Sequence, residues 1–146
     1  MRICQIDLTG TPEADQHALQ RVAALGFDHV LIGGWPHLPE DDTLAACARH
    51  GLAPLLDISL DRYMADGAAG TDDLPDAAWI DTAAPAFAPH ETDNHIPGTR
   101  LRWHDRQIAE ALVQWWAARL RMAWAAGAAG FCCRAPARVP GESWAA

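Results

Sequence analysis

Hydrophobic and polar positions along this chain change period in a regular order. Residues 2–8 alternate, with Ile3, Gln5 and Asp7 on one face and Cys4, Ile6 and Leu8 on the other. That is a first strand, ended by Thr9-Gly10. Thr11-Pro12 reads as a helix start, a hydroxyl cap followed by a proline whose missing N–H costs nothing there. Ala18, Leu19, Val22 and Leu25 share one face of that helix, and Gly26 stops it. Residues 27–32 form a second strand, closed by Gly33-Gly34. Asp41 or Asp42 caps a second helix that carries Leu44, Ala45 and Cys47 as far as Gly51. A third strand follows at 52–58. Pro54 marks its start or an irregularity, because proline cannot donate to a ladder.

Residues 61–104 break this rhythm. They are rich in Asp, Ala, Pro and His, with one helical turn expected near 74–80, and so read as a long loop. Asp105 then caps the strongest helix, which runs to about Ala126 with Ile108, Leu112, Trp115, Trp116, Leu120 and Ala123 at spacings of three and four. Trp115, Trp116 and Trp124 are expected in the core, where this helix packs on the sheet. Next comes Gly-Ala-Ala-Gly-Phe-Cys-Cys-Arg-Ala-Pro at 127–136, apolar without alternation and bounded by glycine and proline. It reads as a strand of a parallel sheet covered on both faces, delivering Arg134 at its carboxyl end. Residues 140–144 read as the first turn of another helix. The order β-α-β-α-β-loop-α-β gives an α/β class with a parallel sheet. A closed eight-stranded barrel takes about 250 residues. One domain over 1–146, with about four strand–helix units, therefore reads as a partial TIM barrel. Such an open half-barrel shows two strand edges and an apolar inner face.

Composition narrows the function. Half of the 146 residues are hydrophobic and the formal net charge is −8, which argues against nucleic-acid and anionic-membrane partners. With no apolar run of about 18 residues and no leader-like start, a cytoplasmic protein is expected. Cys4, Cys47, Cys132 and Cys133 form no CxxC pair and read as reduced, buried small hydrophobes. His90, Asp93, His95 and His104 lack ligand spacing, and Asp72, Asp73 and Asp76 lack a calcium-loop pattern. No metal and no cofactor is expected.

Three landmarks in order carry a resemblance: Leu-Gly-Phe-Asp-His-Val at 25–30, Leu-Leu-Asp-Ile-Ser-Leu-Asp-Arg at 55–62, and Gly-Phe-Cys-Cys-Arg-Ala at 130–135. The set resembles the second, third and fourth strands of the α-amylase family (glycoside hydrolase family thirteen), closest to its maltosyltransferase-like branch. It covers nearly the whole chain and matches the first half of the family's barrel. The family's fourth-strand pattern, Gly-Phe-Arg-x-Asp-Ala, implies that its arginine falls at Cys132 and its nucleophile at Arg134. Its third-strand pattern, Asp-x-x-x-Asn-His, retains the aspartate as Asp57, while Asp61 replaces the asparagine and Arg62 the sugar-binding histidine. The resemblance thus implies a substrate-facing set of Asp57, Asp61, Arg62, Cys132 and Arg134, with no catalytic residue intact.

In the family the retained aspartate pairs with the arginine two residues before the nucleophile. Positions 132 and 134 share a strand face, so Arg134 is expected to take over Asp57. The implied function is that of an α-glucan glycosidase or glycosyltransferase, truncated, without its nucleophile and inactive alone. Its partners would be an α-glucan and either a second copy or a missing C-terminal half. The residues themselves leave two alternatives open. One is a small α/β enzyme of other chemistry around Asp7, Asp57, Asp61 and Arg134; the other is a non-catalytic half-barrel that only associates.

Overall fold

Four short apolar segments pair in parallel and in sequence order: β1 (Ile3–Ile6), β2 (His29–Ile32), β3 (Ala53–Ile58) and the later β6 (Gly130–Cys133). Between β3 and β6 lie β4 (Arg62–Tyr63) and β5 (Thr99–Arg100). The helices are α1 (Pro12–Ala24), α2 (Asp41–Arg49) and α3 (Arg106–Ala125). The computed structural model describes residues 1–6, 12–33, 41–63, 76–82 and 99–145. Asp7, the Thr11 cap, the 35–39 loop, Asp72, Asp73, His90, Asp93 and His95 lie outside the described residues. The chain divides into two compact units.

The first unit, Met1–Ile58 with Ala118–Arg134, holds the parallel sheet. Its register runs Cys4–Val30–Pro54 and Ile6–Ile32–Leu56, continuing to Phe131 on β6. Side chains on this face are buried on the central strands: Val30, Ile32, Pro54, Leu56 and Ile58. Leu19 and Val22 of α1 and Leu44 and Cys47 of α2 complete that core. Each fully buried leucine contributes about 1.5–3 kcal/mol. The opposite face carries Ile3, Leu31, Leu55, Asp57 and Cys132. Apart from Asp57 these are half-buried or exposed, with Ile3 at 41%.

Among the described residues the sheet is thus packed on one face and less covered on the other, which differs from the expectation of cover on both faces. The structure also corrects the reading of the cysteines, because only Cys47 is buried while Cys132 is exposed. Desolvation pushes the Cys47 thiol up to about 11.

Two sequence signals act as expected. Gly26 takes φ 79° to end α1, and a Cβ there would meet Arg2 Nη2 at 2.8 Å. Leu25 beside it is 63% exposed, however, not part of the core face. Pro54 is tolerated inside a central strand because Ala53 directs its N–H to Asp28 on the β2 side. The missing N–H of Pro54 would face β6, where pairing begins one residue later, at Leu55–Gly130. Asp28 ties β1 to β2. Its Oδ1 lies 2.6 Å from His29 Nδ1 and accepts the Arg2 N–H at 2.7 Å, and these bonds hold its carboxyl down to about 2.

The second unit, Ser59–Ala117 with Ala135–Ala146, gives structure to part of the segment read as a loop. Within it β4 and β5 pair antiparallel, and Asp76 Oδ1 caps the 3-10 turn Ala77–Trp79 through the Ala78 N–H at 2.9 Å. Asp105 Oδ1 caps α3 as expected, accepting from Gln107 N at 3.1 Å and Ile108 N at 3.3 Å. Leu112 and Trp116 are buried, and Trp115 meets Tyr63, Trp79 and Trp116 edge-on. The third tryptophan departs from expectation. Trp124, in the part of α3 that belongs to the first unit, is 61% exposed with its ring beside Phe131. It sits more than two turns beyond Trp116, next to buried Ala123.

Candidate functional site

In a parallel sheet the carboxyl ends of neighbouring strands bring side chains of one parity together. Here that geometry joins β3 and β6. Asp57 stands in register with Cys132, on the less covered face. A thiol is too short and uncharged to compensate a buried carboxylate. Arg134, two residues on and on the same face, reaches back to do so. Its Nε donates to Asp57 Oδ2 at 2.6 Å, and its Nη2 donates to the same oxygen. The backbone N–H of Arg134 also donates to Ile58 O at 2.8 Å, which carries the ladder one residue past β6.

The pair is asymmetric. The Asp57 side chain is 5% exposed and that of Arg134 46%, so a sealed carboxylate is held by a cation whose outer side meets solvent. A buried carboxylate is tolerated only when paired and hydrogen-bonded, and the guanidinium meets that need. Among the described residues Asp57 Oδ1 accepts no hydrogen bond. The expected Asp57–Arg134 ion pair is therefore present, with Cys132 in register beside Asp57.

In the second unit Asp61 and Arg62 form another cluster. Asp61 is 3% exposed; its Oδ2 accepts from Arg138 Nη1 at 3.1 Å and lies 3.7 Å from Arg62 Nε. The backbone carbonyl of Asp61 accepts the Leu101 N–H, fixing the carboxylate from behind. Sequence reasoning missed Arg138. Asp57–Arg134 and Asp61–Arg138 each span 77 residues, but a turn lies between positions 134 and 138, so strand parity does not extend to the second pair. Arg138 sits in the 3-10 turn Pro136–Arg138, entered through Ala135 in the left-handed region at φ 47°. A side chain there costs about 1–2 kcal/mol, so the turn that aims Arg138 is held against local preference. His104 Nδ1 lies 3.9 Å from Asp81 Oδ2, and among the described residues no three His, Cys, Asp or Glu side chains are placed to hold a metal ion. Among the same residues no helix is long and apolar enough to cross a membrane.

Four parallel strands in sequence order, helices between them and charged groups at their carboxyl ends define a partial barrel of the TIM type. A protein from Salmonella typhimurium assigned as an α-amylase shares the fold. Its crystal structure matches 95% of this chain with a TM-score of 0.56 and 15% identity, over 26% of its own length. The α-1,4-glucan:maltose-1-phosphate maltosyltransferase of Burkholderia pseudomallei (strain K96243) is 33% identical over 177 residues, which take in 98% of this chain and 15% of that protein. No family model matches. The chain is thus related to the α-amylase family on its maltosyltransferase-like side, and it spans about a seventh of the curated relative and a quarter of the structural one. The 177 aligned positions exceed the 146 residues present, so the relative carries residues in this stretch without a counterpart here.

Proposed function

We propose that this chain carries the nucleophile-side half of an α-glucan site and that it binds α-glucan without cleaving it. The observation that carries this is the Arg134 guanidinium, standing at the position where the family resemblance puts the nucleophile and docked on buried Asp57. Retaining cleavage needs two carboxyl groups about 5–5.5 Å apart, one of which attacks the anomeric carbon. A guanidinium stays protonated and has no free electron pair to give. Asp57 Oδ2 in turn is occupied by two donors, so its charge serves the ion pair and not chemistry. The side chain of Arg134 is half-exposed on the sheet face that bears Asp57 and Cys132, so it meets solvent where a sugar would approach. The relative transfers maltosyl units between maltose 1-phosphate and α-1,4-glucan by its name, which supports an α-glucan as the ligand class.

The test pairs binding with turnover. Purified protein is expected to be retained on an α-glucan affinity gel while releasing and transferring no sugar from maltooligosaccharides. Arg134→Ala is expected to weaken retention. Hydrolysis or transfer by the contaminant-free wild type, abolished by Asp57→Asn, would replace this reading with that of an active enzyme.

A further inference from the structure

In the second unit a cavity of about 570 Å³ lies between the first turns of α3 and the 3-10 turn Gly141–Trp144. That volume is typical of small-molecule sites, which run to about 300–1,000 Å³. Its lining divides in two. Trp103, Ala109, Val113 and Pro140 supply apolar surface. The indole N–H of Trp103 is committed to Leu60 O at 2.9 Å, so the ring offers carbon and not a donor. Around this surface stand the carboxylates of Glu110 and Glu142, the Gln114 amide and the Ser143 hydroxyl.

The helix period produces the mixture. Ala109 and Val113 are four apart, and Glu110 and Gln114 follow each by one position, so an apolar and a polar stripe run side by side on α3. Arg106, one turn earlier, donates from Nε to Glu110 Oε1 at 3.4 Å, so the lining's arginine is already paired with one of its two carboxylates.

We propose that this cavity binds a saccharide of one or two rings. A pyranose has apolar C–H faces and a rim of hydroxyls that each donate and accept, which is the division the lining shows. An anion would meet two carboxylates against an arginine already paired with Glu110 and a histidine, His104, whose Nδ1 lies 3.9 Å from Asp81 Oδ2. A compact cation would leave the Gln114 amide, the Ser143 hydroxyl and the apolar floor unused. The choice of α-linked glucose among saccharides rests on the function proposed above.

Amide shift mapping of the full chain with maltotriose, cellotriose and spermidine tests this. Maltotriose is expected to move the amides of 109–114 and 141–143. Gln114→Ala combined with Glu142→Gln should weaken binding at least about 5-fold, as expected for lost hydrogen bonds. Ala109→Trp should abolish it by filling the cavity, and the solvent-facing double variant keeps the test open if that core-side change fails to fold. Shifts at these amides from cellotriose but not maltotriose would uphold the saccharide cavity and overturn the α-glucan reading. Shifts from maltotriose confined to the surroundings of Asp57 and Arg134 would overturn the cavity and leave that reading standing. No shift from either sugar, or shifts from spermidine alone, would overturn the proposal.

Discussion

Replacing Arg134 with alanine strips a buried carboxylate of the two guanidinium donors on its Oδ2, and the consequence for stability follows from the burial of each partner. Removing one member of a fully buried ion pair costs about 3–5 kcal/mol, and a surface pair contributes about 0–1 kcal/mol. Here the side chains are 5% and 46% exposed, so the pair lies between these limits and the high figure must be discounted for solvent on the arginine side. Arg134→Ala is therefore expected to destabilise by about 2 kcal/mol, because the buried Asp57 carboxylate loses its donors and is only partly reached by water. Asp57→Ala should cost nearer about 1 kcal/mol, since the guanidinium it releases already meets solvent. The double variant should recover part of the sum, leaving a coupling energy on the order of 1 kcal/mol. Urea unfolding of the four proteins at pH 7, with equal m values, gives all three numbers. A coupling within about 0.5 kcal/mol of zero, the scatter of independent sites, would refute the pairing argument. So would Asp57→Ala proving the costlier change.

Three further outcomes are expected. The Cys47 thiol is neutral in the folded chain up to about 11 but only to 9.0 when unfolded, so the unfolded state loses its proton first as pH rises. Stability is then fully present below pH 9 and falls between pH 9 and 11, by on the order of 2 kcal/mol. Urea midpoints across that range should fall more steeply for wild type than for Cys47→Ala, and equal slopes would remove the assignment. Trp116→Ala should cost about 3–5 kcal/mol and Trp124→Ala under about 1 kcal/mol, since one is 3% and the other 61% exposed. Comparable losses in thermal melts would contradict the packing of α3. Among the described residues the outer edges of β1 and β6 are unpaired, and the sheet face bearing Leu31 and Leu55 is only half-buried, with Ile3 exposed. Self-association is expected from this, so sedimentation should show species that grow with concentration; a monomer at all concentrations that binds no hydrophobic dye would count against it.

The strand and helix order was legible in the sequence, because each element carries its own periodicity and punctuation: alternation in 2–8, the three-and-four spacing after Asp105, and glycine at 26 and 51. The Asp57–Arg134 pair was legible too, since parity along a strand fixes which side chains share a face. Parity does not say which face is covered. That required the register of all four strands, which puts Val30, Leu56 and Ile58 in the core and leaves Asp57 and Cys132 on the less covered side. Burial of a cysteine or a tryptophan is likewise a property of what packs against it. The chain could set the positions of Cys132 and Trp124, but only the assembled sheet and helices decided that both meet solvent. The Asp61–Arg138 contact stayed hidden for a related reason. It depends on a turn through left-handed Ala135, a conformation that tertiary packing imposes and local preference opposes.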